Sequence, residues 1–449
     1  MPDMVASRAS VLLSFTAENV RSFRDAFELS MLSTSRSEPN AVRLVQWRED
    51  GKPIGVLPVA AIFGANGSGK TMVLRAMNDM RRLVLTSFRT QSPTAAMPYF
   101  PFRLDPAAEA STSSFEVELV LNGIRHVYGF EIAPERVVEE WAHWYPRGRP
   151  ALLFRRDHDD VELGAAERTR GKAVRELLRP NALFLSTAAS ANHPLLLPLY
   201  AWFDRNLLLA EAESRRWRQL FTARMLEDES HHEQVLALLR AADLGITGAR
   251  VREFDAGVRE RLREVEALLA GDSDPSDEPI FRFEDFEVRL SHRGVSGDVE
   301  LHVEDESLGT MVWFGLVGPV IDALANGAVL LADELDASLH PALVQRLVRL
   351  FQDPQTNPHR AQLIFNSHDV TVMGNAKDDR PLGRDQIWFT EKANDGSTRL
   401  YPLTDLDPRK DEAVAKRYLT GRYGGTPILS PSEFEHAARL ITSSDRRDS

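Results

Sequence analysis

The sequence predicts an α/β fold with an antiparallel β subdomain and a short helical insertion. Two apolar runs, residues 56–63 and 328–332, have the length and composition of buried strands. An amphipathic helix is predicted a short loop after the first run, because apolar residues recur at helical spacing over 73–84. Alternating apolar and polar residues on both sides of Asn122-Gly123 predict an antiparallel hairpin. Buried strands, a helix and a separate hairpin in one chain indicate a mixed fold.

The composition is that of a globular protein with room for two lobes. The chain has 449 residues, 43% of them hydrophobic, and it contains no cysteine, which excludes disulfides and thiolate metal sites. Acidic residues outnumber basic residues by 66 to 54, which argues against a whole-surface attraction to nucleic acid but leaves a local basic groove open. Without a long apolar run or a signal-like N-terminus, we expect a cytoplasmic protein with no membrane partner.

An N-terminal lobe is predicted for residues 1–194. Within it, the apolar run 182–185 fits either a core strand or the start of a helix. The predicted antiparallel strands of this lobe lie at 11–15, 27–31, 115–121, 124–132 and 137–144.

A helical insertion followed by an acidic linker is predicted for residues 195–279. Apolar residues recur there at helical spacing, and the last part is polar, acidic and interrupted by proline. A C-terminal lobe is predicted for 280–430, and it opens with a hairpin whose strands lie at 281–290 and 299–303. The remaining residues, 431–449, are predicted to form a polar tail.

A glycine-rich loop (Walker A) between the first buried strand and its helix predicts a nucleoside triphosphate site. Glycines let backbone N–H groups surround the phosphates, Lys70 offers a positive charge to the β and γ oxygens, and Thr71 offers a hydroxyl to Mg²⁺. Phosphate contacts alone do not separate ATP from GTP. The predicted phosphate-binding residues are Asn66, Gly67, Ser68, Gly69, Lys70 and Thr71, and Thr71 is also a predicted metal ligand.

The second buried strand ends in two carboxylates, Asp333 and Glu334 (Walker B). Asp333 is the predicted residue that holds Mg²⁺, and Glu334 is the predicted general base for the attacking water. An apolar run that ends in two acids is also common where a strand enters a solvated loop. The phosphate-binding loop upstream favours the catalytic interpretation.

Three further segments resemble motifs of the ABC-type ATPases. Residues 307–310, Ser-Leu-Gly-Thr, precede an apolar helix that leads into the second buried strand, and they resemble the signature motif. Residues 335–341 resemble the D-loop, and residues 363–369 resemble the strand that carries the H-loop histidine. All these motifs occur in the order that is typical of the superfamily.

The resemblance implies ATP as the nucleotide and a composite site. Ser307 and Gly309 of one subunit would close over the γ-phosphate bound by another subunit, so a head-to-tail homodimer is implied. Asp336 would lie at the nucleotide, and His368 would contact the γ-phosphate and help to position the water.

Looser patterns occur at residues 15–23, 307–310, 333–341 and 418–427. In these patterns the chain resembles bacterial stand-alone ATPases related to the SMC and OLD groups. These include RloA/AbiLii-type and PARIS AriA-like proteins, which are associated with phage defence. The resemblance implies an ATP-controlled sensor or scaffold, in a homo-oligomer built from such dimers, for a separately encoded nuclease or toxin. The alternative is an SMC-like DNA-binding ATPase in DNA repair or maintenance.

Two departures from those groups limit the resemblance. OLD nucleases carry a C-terminal Toprim domain, whereas few residues follow His368, so no intrinsic nuclease is expected. SMC proteins carry a very long coiled coil, whereas the insertion allows only short helices. Gln91 is a candidate for the glutamine that reports nucleotide state, but its surroundings fit a plain loop equally well, and it stays outside the predicted site.

One basic cluster interleaved with aromatic residues lies in the predicted insertion. It could bind phosphates or stack on bases. Nearby acidic residues favour instead a charged amphipathic helix whose apolar face packs on the lobe. The cluster consists of Arg215, Arg216, Arg218, Arg224, Trp217 and Phe221.

Overall fold

The computed structural model describes most of the chain between residues 10 and 444. The residues not described within this span are 36, 39–40, 49–50, 166–169, 212–213, 243, 255–256, 258–259, 262–263, 266–285, 375–379, 410–411 and 428–429.

The described elements alternate between strand-rich and helix-rich segments. The strands are β1 (Val11–Glu18), β2 (Phe27–Ser30), β3 (Arg43–Val45), β4 (Ile54–Val56), β5 (Val59–Gly64), β6 (Ser113–Leu121), β7 (Ile124–Ile132), β8 (Val137–Trp144), β9 (Ala151–Asp157), β10 (Asp160–Leu163), β11 (Leu207–Ala210), β12 (Ile246–Glu253), β13 (Phe286–Gly294), β14 (Gly297–His302), β15 (Val329–Ala332), β16 (Gln362–Asn366), β17 (Ile387–Lys392) and β18 (Thr398–Pro402). The α-helices are α1 (Lys70–Thr86), α2 (Pro106–Glu109), α3 (Arg170–Glu176), α4 (Phe184–Ser190), α5 (Leu197–Arg205), α6 (Arg215–Glu227), α7 (Glu229–Ala241), α8 (Leu308–Asn326), α9 (Pro341–Gln352), α10 (Val414–Leu419) and α11 (Pro431–Ser444).

A six-stranded sheet with the order β11-β15-β16-β5-β17-β18 forms the centre of the molecule. Its first five strands are parallel, and β18 pairs antiparallel with β17. In β5, Ala60 and Ile62 face one hydrophobic core, whereas Val59, Ala61 and Phe63 face the other. Because both faces are covered, the strand reads as a continuous apolar run.

A seven-stranded antiparallel sheet, β10-β9-β8-β7-β6-β1-β2, packs beside the first core. The predicted hairpin is its β6–β7 pair, and both turn residues have positive φ, 52° at Asn122 and 81° at Gly123, as tight hairpin turns require. Gln362 of β16 joins the two sheets, because it accepts a hydrogen bond from Leu12 N at 2.7 Å and donates one to Leu12 O at 3.0 Å.

Helices α6, α7 and α8 cover the other face of the six-stranded sheet. Helix α8 is long and apolar enough to cross a membrane. Its Trp313 and Phe314, however, are buried in the second core. Close packing of α8 on α6 is possible because Gly318 lies at the contact, where its N–H donates to Thr222 Oγ1 at 3.0 Å. The mixed α/β fold class with an antiparallel subdomain is thus confirmed.

Part of the segment predicted as a helical insertion is β structure. Strand β11 pairs in parallel with β15 at the edge of the six-stranded sheet, and β12 joins β13 and β14 in a three-stranded sheet. The prediction of a helical insertion is therefore wrong for residues 207–210 and 246–253, whereas α5, α6 and α7 are helical as expected. A four-residue apolar run cannot be told from a helix turn by periodicity, and its tertiary partner decides its structure.

Smaller differences concern three other segments. The ambiguous run 182–185 leads into helix α4, which begins at Phe184. The predicted polar tail contains helix α11, on which Phe434 is 67% exposed. The predicted strand 281–290 begins outside the described residues, but β13 and β14 form the expected hairpin.

Helix α6 carries the basic cluster, and the face that it buries is polar, whereas the sequence predicted a buried apolar face. Arg218 and Thr222 are buried, whereas Trp217 is 56% exposed and Phe221 is 41% exposed. The helix packs on the lobe, as one alternative proposed, but Trp217 faces outwards, and the half-exposed Phe221 touches α8 at Gly318. Contact with Gly315 and Gly318 of α8 places the small and polar face of α6 inside.

Candidate functional site

The carboxyl ends of the parallel strands meet at one edge of the six-stranded sheet. There β5 ends at Gly64, β15 at Ala332 and β16 at Asn366. Strand β11 ends at Ala210, whose carbonyl accepts a hydrogen bond from Asp333 N at 3.1 Å. Ligand sites in open α/β sheets lie outside this edge, so the topology itself brings the predicted motifs together.

Two threonines from β17 and β18 hold the phosphate-binding loop. The hydroxyls of Ser68 and Thr390 lie 2.7 Å apart, and Thr398 Oγ1 donates to Ser68 O at 3.0 Å. Gly69 has a φ of 104°, and a Cβ there would collide with the Thr398 hydroxyl. Position 69 therefore accepts only glycine without rearrangement.

The start of α1 offers backbone donors to an anion. Its N-cap residue, Gly69, supplies no side-chain hydrogen bond, so the first N–H groups of the helix are not capped by a side chain. Lys70 Nζ donates to Gly64 O at 2.9 Å and to Ala65 O at 3.1 Å, which keeps the ammonium within the loop. Burial lowers the pKa of Lys70, and three nearby carboxylates act in the opposite direction. The loop thus fits a triphosphate.

Asn366 joins the two predicted metal residues. Thr71 Oγ1 donates to Asp333 Oδ1 at 2.9 Å, and Asn366 Nδ2 donates to the same carboxylate oxygen. Asn366 Oδ1 accepts the N–H of Glu334, whose φ is 50°, so this amide also holds a left-handed backbone. A hydroxyl and a carboxylate side by side are oxygen donors that fit Mg²⁺.

Asp336 orients the segment that carries His368. The backbone N–H of His368 lies 3.2 Å from Asp336 Oδ2 and 3.3 Å from Oδ1. Burial, and then the charge of Lys70, lower the pKa of the His368 imidazole, whereas Asp336 and Glu334 act in the opposite direction. A neutral imidazole at neutral pH can donate one hydrogen bond and accept another.

The signature-like segment begins α8 and lies beside the D-loop-like segment. Ser307 Oγ caps the helix by accepting a hydrogen bond from Thr310 N at 3.1 Å. A Cβ on Gly309 would lie 2.7 Å from Ser338 O, so glycine lets α8 approach the D-loop-like segment. Within the described chain, no hydrogen bond joins Ser307 or Gly309 to the loop at 64–71. The other predicted residues, Lys70, Thr71, Asp333, Glu334, Asp336 and His368, lie at one edge.

Sequence reasoning missed three polar residues that shape this edge. Asn366 had a local signal, because it is a polar residue at the end of an apolar strand and two positions before His368. Thr390 and Thr398 had none, since only the sheet order brings β17 and β18 beneath the loop.

Glu211 is a fourth such residue. It follows β11 at the same edge and forms an ion pair with Arg75 of α1 at 3.5 Å. The prediction missed it because β11 itself was taken as helical. Gln91 lies beyond the end of α1, and its side-chain amide donates to Ala96 O at 2.8 Å, within its own loop.

The stretch of chain that contains this edge matches a known protein family. Residues 59–374 match the family described as "AAA domain, putative AbiEii toxin, Type IV TA system", and the match covers well over half of the 449 residues. The chain belongs to this family. The match includes every motif from the phosphate-binding loop to His368, so this protein is an AAA-domain ATPase. A search of curated proteins gave no match.

Solved structures similar to this AAA-domain ATPase include SMC heads. The SMC head domain from Thermotoga maritima is 14% identical, with 87% of this chain and 98% of that chain covered and a TM-score of 0.36. An SmcHead bound to the C-winged helix domain of ScpA is 13% identical, with coverage of 87% and 96% and a TM-score of 0.40. An Smc head domain bound to the C-terminal domain of ScpA, derived from Pyrococcus furiosus, is 12% identical, with coverage of 88% and 97% and a TM-score of 0.38.

Proposed function

We propose that this protein hydrolyses MgATP at sites shared by two subunits, and that its ATP state controls a separately encoded effector in phage defence. The observation that carries the ATPase proposal is the linkage of Thr71, Asp333 and Glu334 through Asn366, directly beside the phosphate-binding loop.

Each residue at this edge has a role in the proposed hydrolysis. Lys70 and the loop N–H groups bind the β- and γ-phosphates, and Glu334 takes the proton of the attacking water. An imidazole N–H of His368 donates to the γ-phosphate, and Asp336 fixes the backbone of His368. Ser307 and Gly309 would reach the γ-phosphate from the other subunit, since no bond joins them to the loop within the described chain.

Thr71 and Asp333 would hold the metal ion. When bound, Mg²⁺ neutralises charge on the β and γ oxygens. Positioning and charge neutralisation supply most of the catalysis in phosphoryl transfer, so the residues need correct placement more than unusual reactivity.

Two observations support the defence role. The family description names a toxin of a type IV toxin–antitoxin system. The motifs at 15–23, 333–341 and 418–427 resemble phage-defence ATPases. We place the protein in the cytoplasm, where a nuclease or toxin effector would meet its targets.

Copurification with the neighbouring genes tests this proposal. Glu334→Gln should trap the ATP-bound state, because the general base is lost while the phosphate contacts remain. We expect this variant to retain a stoichiometric partner protein in the presence of ATP, whereas Lys70→Ala should not. If both variants come off as the bare protein, the effector proposal is wrong. If neither the wild-type protein nor Glu334→Gln binds ATP, the ATPase proposal is wrong as well.

A second candidate function, DNA binding by an SMC-like ATPase, is supported by the outer face of α6. Trp217 and Phe221 are exposed there, and Arg216 lies beside them. Aromatic rings and cations together stack on bases and bind phosphates. DNA binding that requires ATP, falls steeply with salt and is lost in Arg216→Gln/Trp217→Ala would favour this candidate. Binding that the double variant leaves unchanged would exclude this surface.

A further inference from the structure

Arg218 is a buried cation near the phosphate-binding edge. It lies on α6 and is 7% exposed. The Nε atom of Arg218 has no hydrogen-bond partner. The Arg218 side chain forms no ion pair with any residue that the structure describes. Buried charges are normally paired, because removing an unpaired charge from water is unfavourable. The described protein residues do not supply the anion that such a position calls for.

The start of α6 is tied to the edge of the six-stranded sheet. Strand β11 leads into this helix, and its last residue, Ala210, accepts the N–H of Asp333 at 3.1 Å. The next residue, Glu211, is already paired with Arg75 at 3.5 Å. Arg218 is therefore placed close to Asp333, and the carboxylate of Glu211 is already engaged by Arg75.

The electrostatic environment agrees with this placement. Burial and repulsion from Arg215 lower the pKa of Arg218 to about 10, and Asp333 is the group that acts in the opposite direction. The guanidinium thus stays charged at neutral pH and lies within range of the carboxylate that would hold the metal.

Arg218 also lies against the helix that carries the signature-like segment. A Cβ on Gly315 of α8 would be 3.4 Å from Arg218 Cβ. One turn further along α6, Thr222 Oγ1 accepts the N–H of Gly318 at 3.0 Å. The two helices are in direct contact over this stretch, so a displacement of α6 displaces α8.

We propose that Arg218 donates hydrogen bonds to the γ-phosphate of ATP bound in its own subunit, and thereby couples the γ-phosphate to the position of α8. The inference rests on the proposed ATPase function and deepens it. A guanidinium presents paired N–H donors that match phosphate oxygens. ADP has no γ-phosphate, so it leaves Arg218 unpaired, and the protein distinguishes the two nucleotides within one subunit.

Equilibrium binding of MgATP and MgADP to the full chain tests this inference. Arg218→Met keeps an unbranched, flexible side-chain stem and removes the guanidinium with its charge. We expect its affinity for ATP to fall roughly tenfold or more, and its affinity for ADP to stay within about twofold of wild type. Its melting temperature without nucleotide should be unchanged or higher, because an unpaired buried cation is removed.

Two further variants complete the test. Arg218→Lys keeps the charge but not the paired donors, so its ATP affinity should lie between those of wild type and Arg218→Met. Arg224→Met removes an exposed arginine from the same helix and should bind both nucleotides as wild type does. Equal loss of ATP and ADP affinity in Arg218→Met, or equal ATP affinity in wild type and Arg218→Met, would overturn the inference. A wild-type protein that binds neither nucleotide would instead overturn the proposed function on which the inference rests.

Discussion

Two glycines of the phosphate-binding loop have similar backbones and different surroundings. Gly67 has a φ of 74° and Gly69 a φ of 104°. A Cβ on Gly67 meets no atom within 4 Å, whereas a Cβ on Gly69 collides with Thr398 and lies 2.9 Å from Ser22 Oγ.

Gly67→Ala and Gly69→Ala should therefore differ in nucleotide binding. We expect Gly67→Ala to cost only backbone strain, about 1 kcal/mol, and to retain nucleotide binding. Gly69→Ala adds the collision, displaces the loop and should abolish binding. Thermal unfolding and ATP titration of both variants check this. Equal affinities would mean that β18 does not restrain the loop.

Asn366 is the residue on which the arrangement of Asp333 and Glu334 depends. Asn366→Ala removes a hydrogen bond to the Asp333 carboxylate, a type of bond that contributes about 1.5–3 kcal/mol, and a neutral one from the Glu334 backbone N–H, which contributes about 1 kcal/mol. The expected result is a fall of kcat by roughly tenfold to a hundredfold with little change in KM, measured by phosphate release. Asn326→Ala, which removes an exposed amide bonded to Asp322 at 2.7 Å, is the matched control. An unchanged kcat in Asn366→Ala would contradict the role assigned to the amide.

At the scale of elements, the close contact between α6 and α8 depends more on Gly318 than on Gly315. A Cβ on Gly318 would lie 2.6 Å from Thr222 Oγ1, whereas a Cβ on Gly315 would have no atom closer than 3.4 Å. We expect Gly318→Ala to destabilise the protein by about 1–3 kcal/mol through overpacking. Gly315→Ala should be neutral or stabilising by up to about 1 kcal/mol, since alanine favours helix. Urea unfolding of both variants measures this difference in the free energy of unfolding. An equal loss of stability in the two variants would show that the helices pack less closely at Gly318 than the structure indicates.

At the scale of the whole molecule, the proposed composite site predicts complementation between two inactive variants. Lys70→Ala removes the phosphate contact of one subunit, and Ser307→Arg blocks the signature-like segment of the other. Each variant alone should be inactive. A mixed dimer contains one intact site, so an equal mixture should regain roughly a quarter of wild-type ATPase activity. If the mixture stays inactive although mixed dimers form, the two halves of the site do not come from different subunits.

Most of the fold was predictable because local patterns are strong in buried strands and tight turns. The β6–β7 hairpin and β8 follow the predicted boundaries closely, and the strand, loop and helix around Lys70 are present. Strand β11 was not predictable, because Leu207–Ala210 is too short to show a period and is a strand only beside β15. The orientation of α6 was also missed, because two glycines of α8 accept its polar face.

The sequence by itself determined the residue types of the site and their order along the chain, because phosphate and magnesium chemistry demand particular groups after particular strands. Tertiary structure alone decided which other residues surround them. Thr390 and Thr398 support the loop, Glu211 reaches the edge, and Arg218 is buried near Asp333. These contacts join residues far apart in the chain, and sheet order and helix packing, which no local pattern records, bring them together.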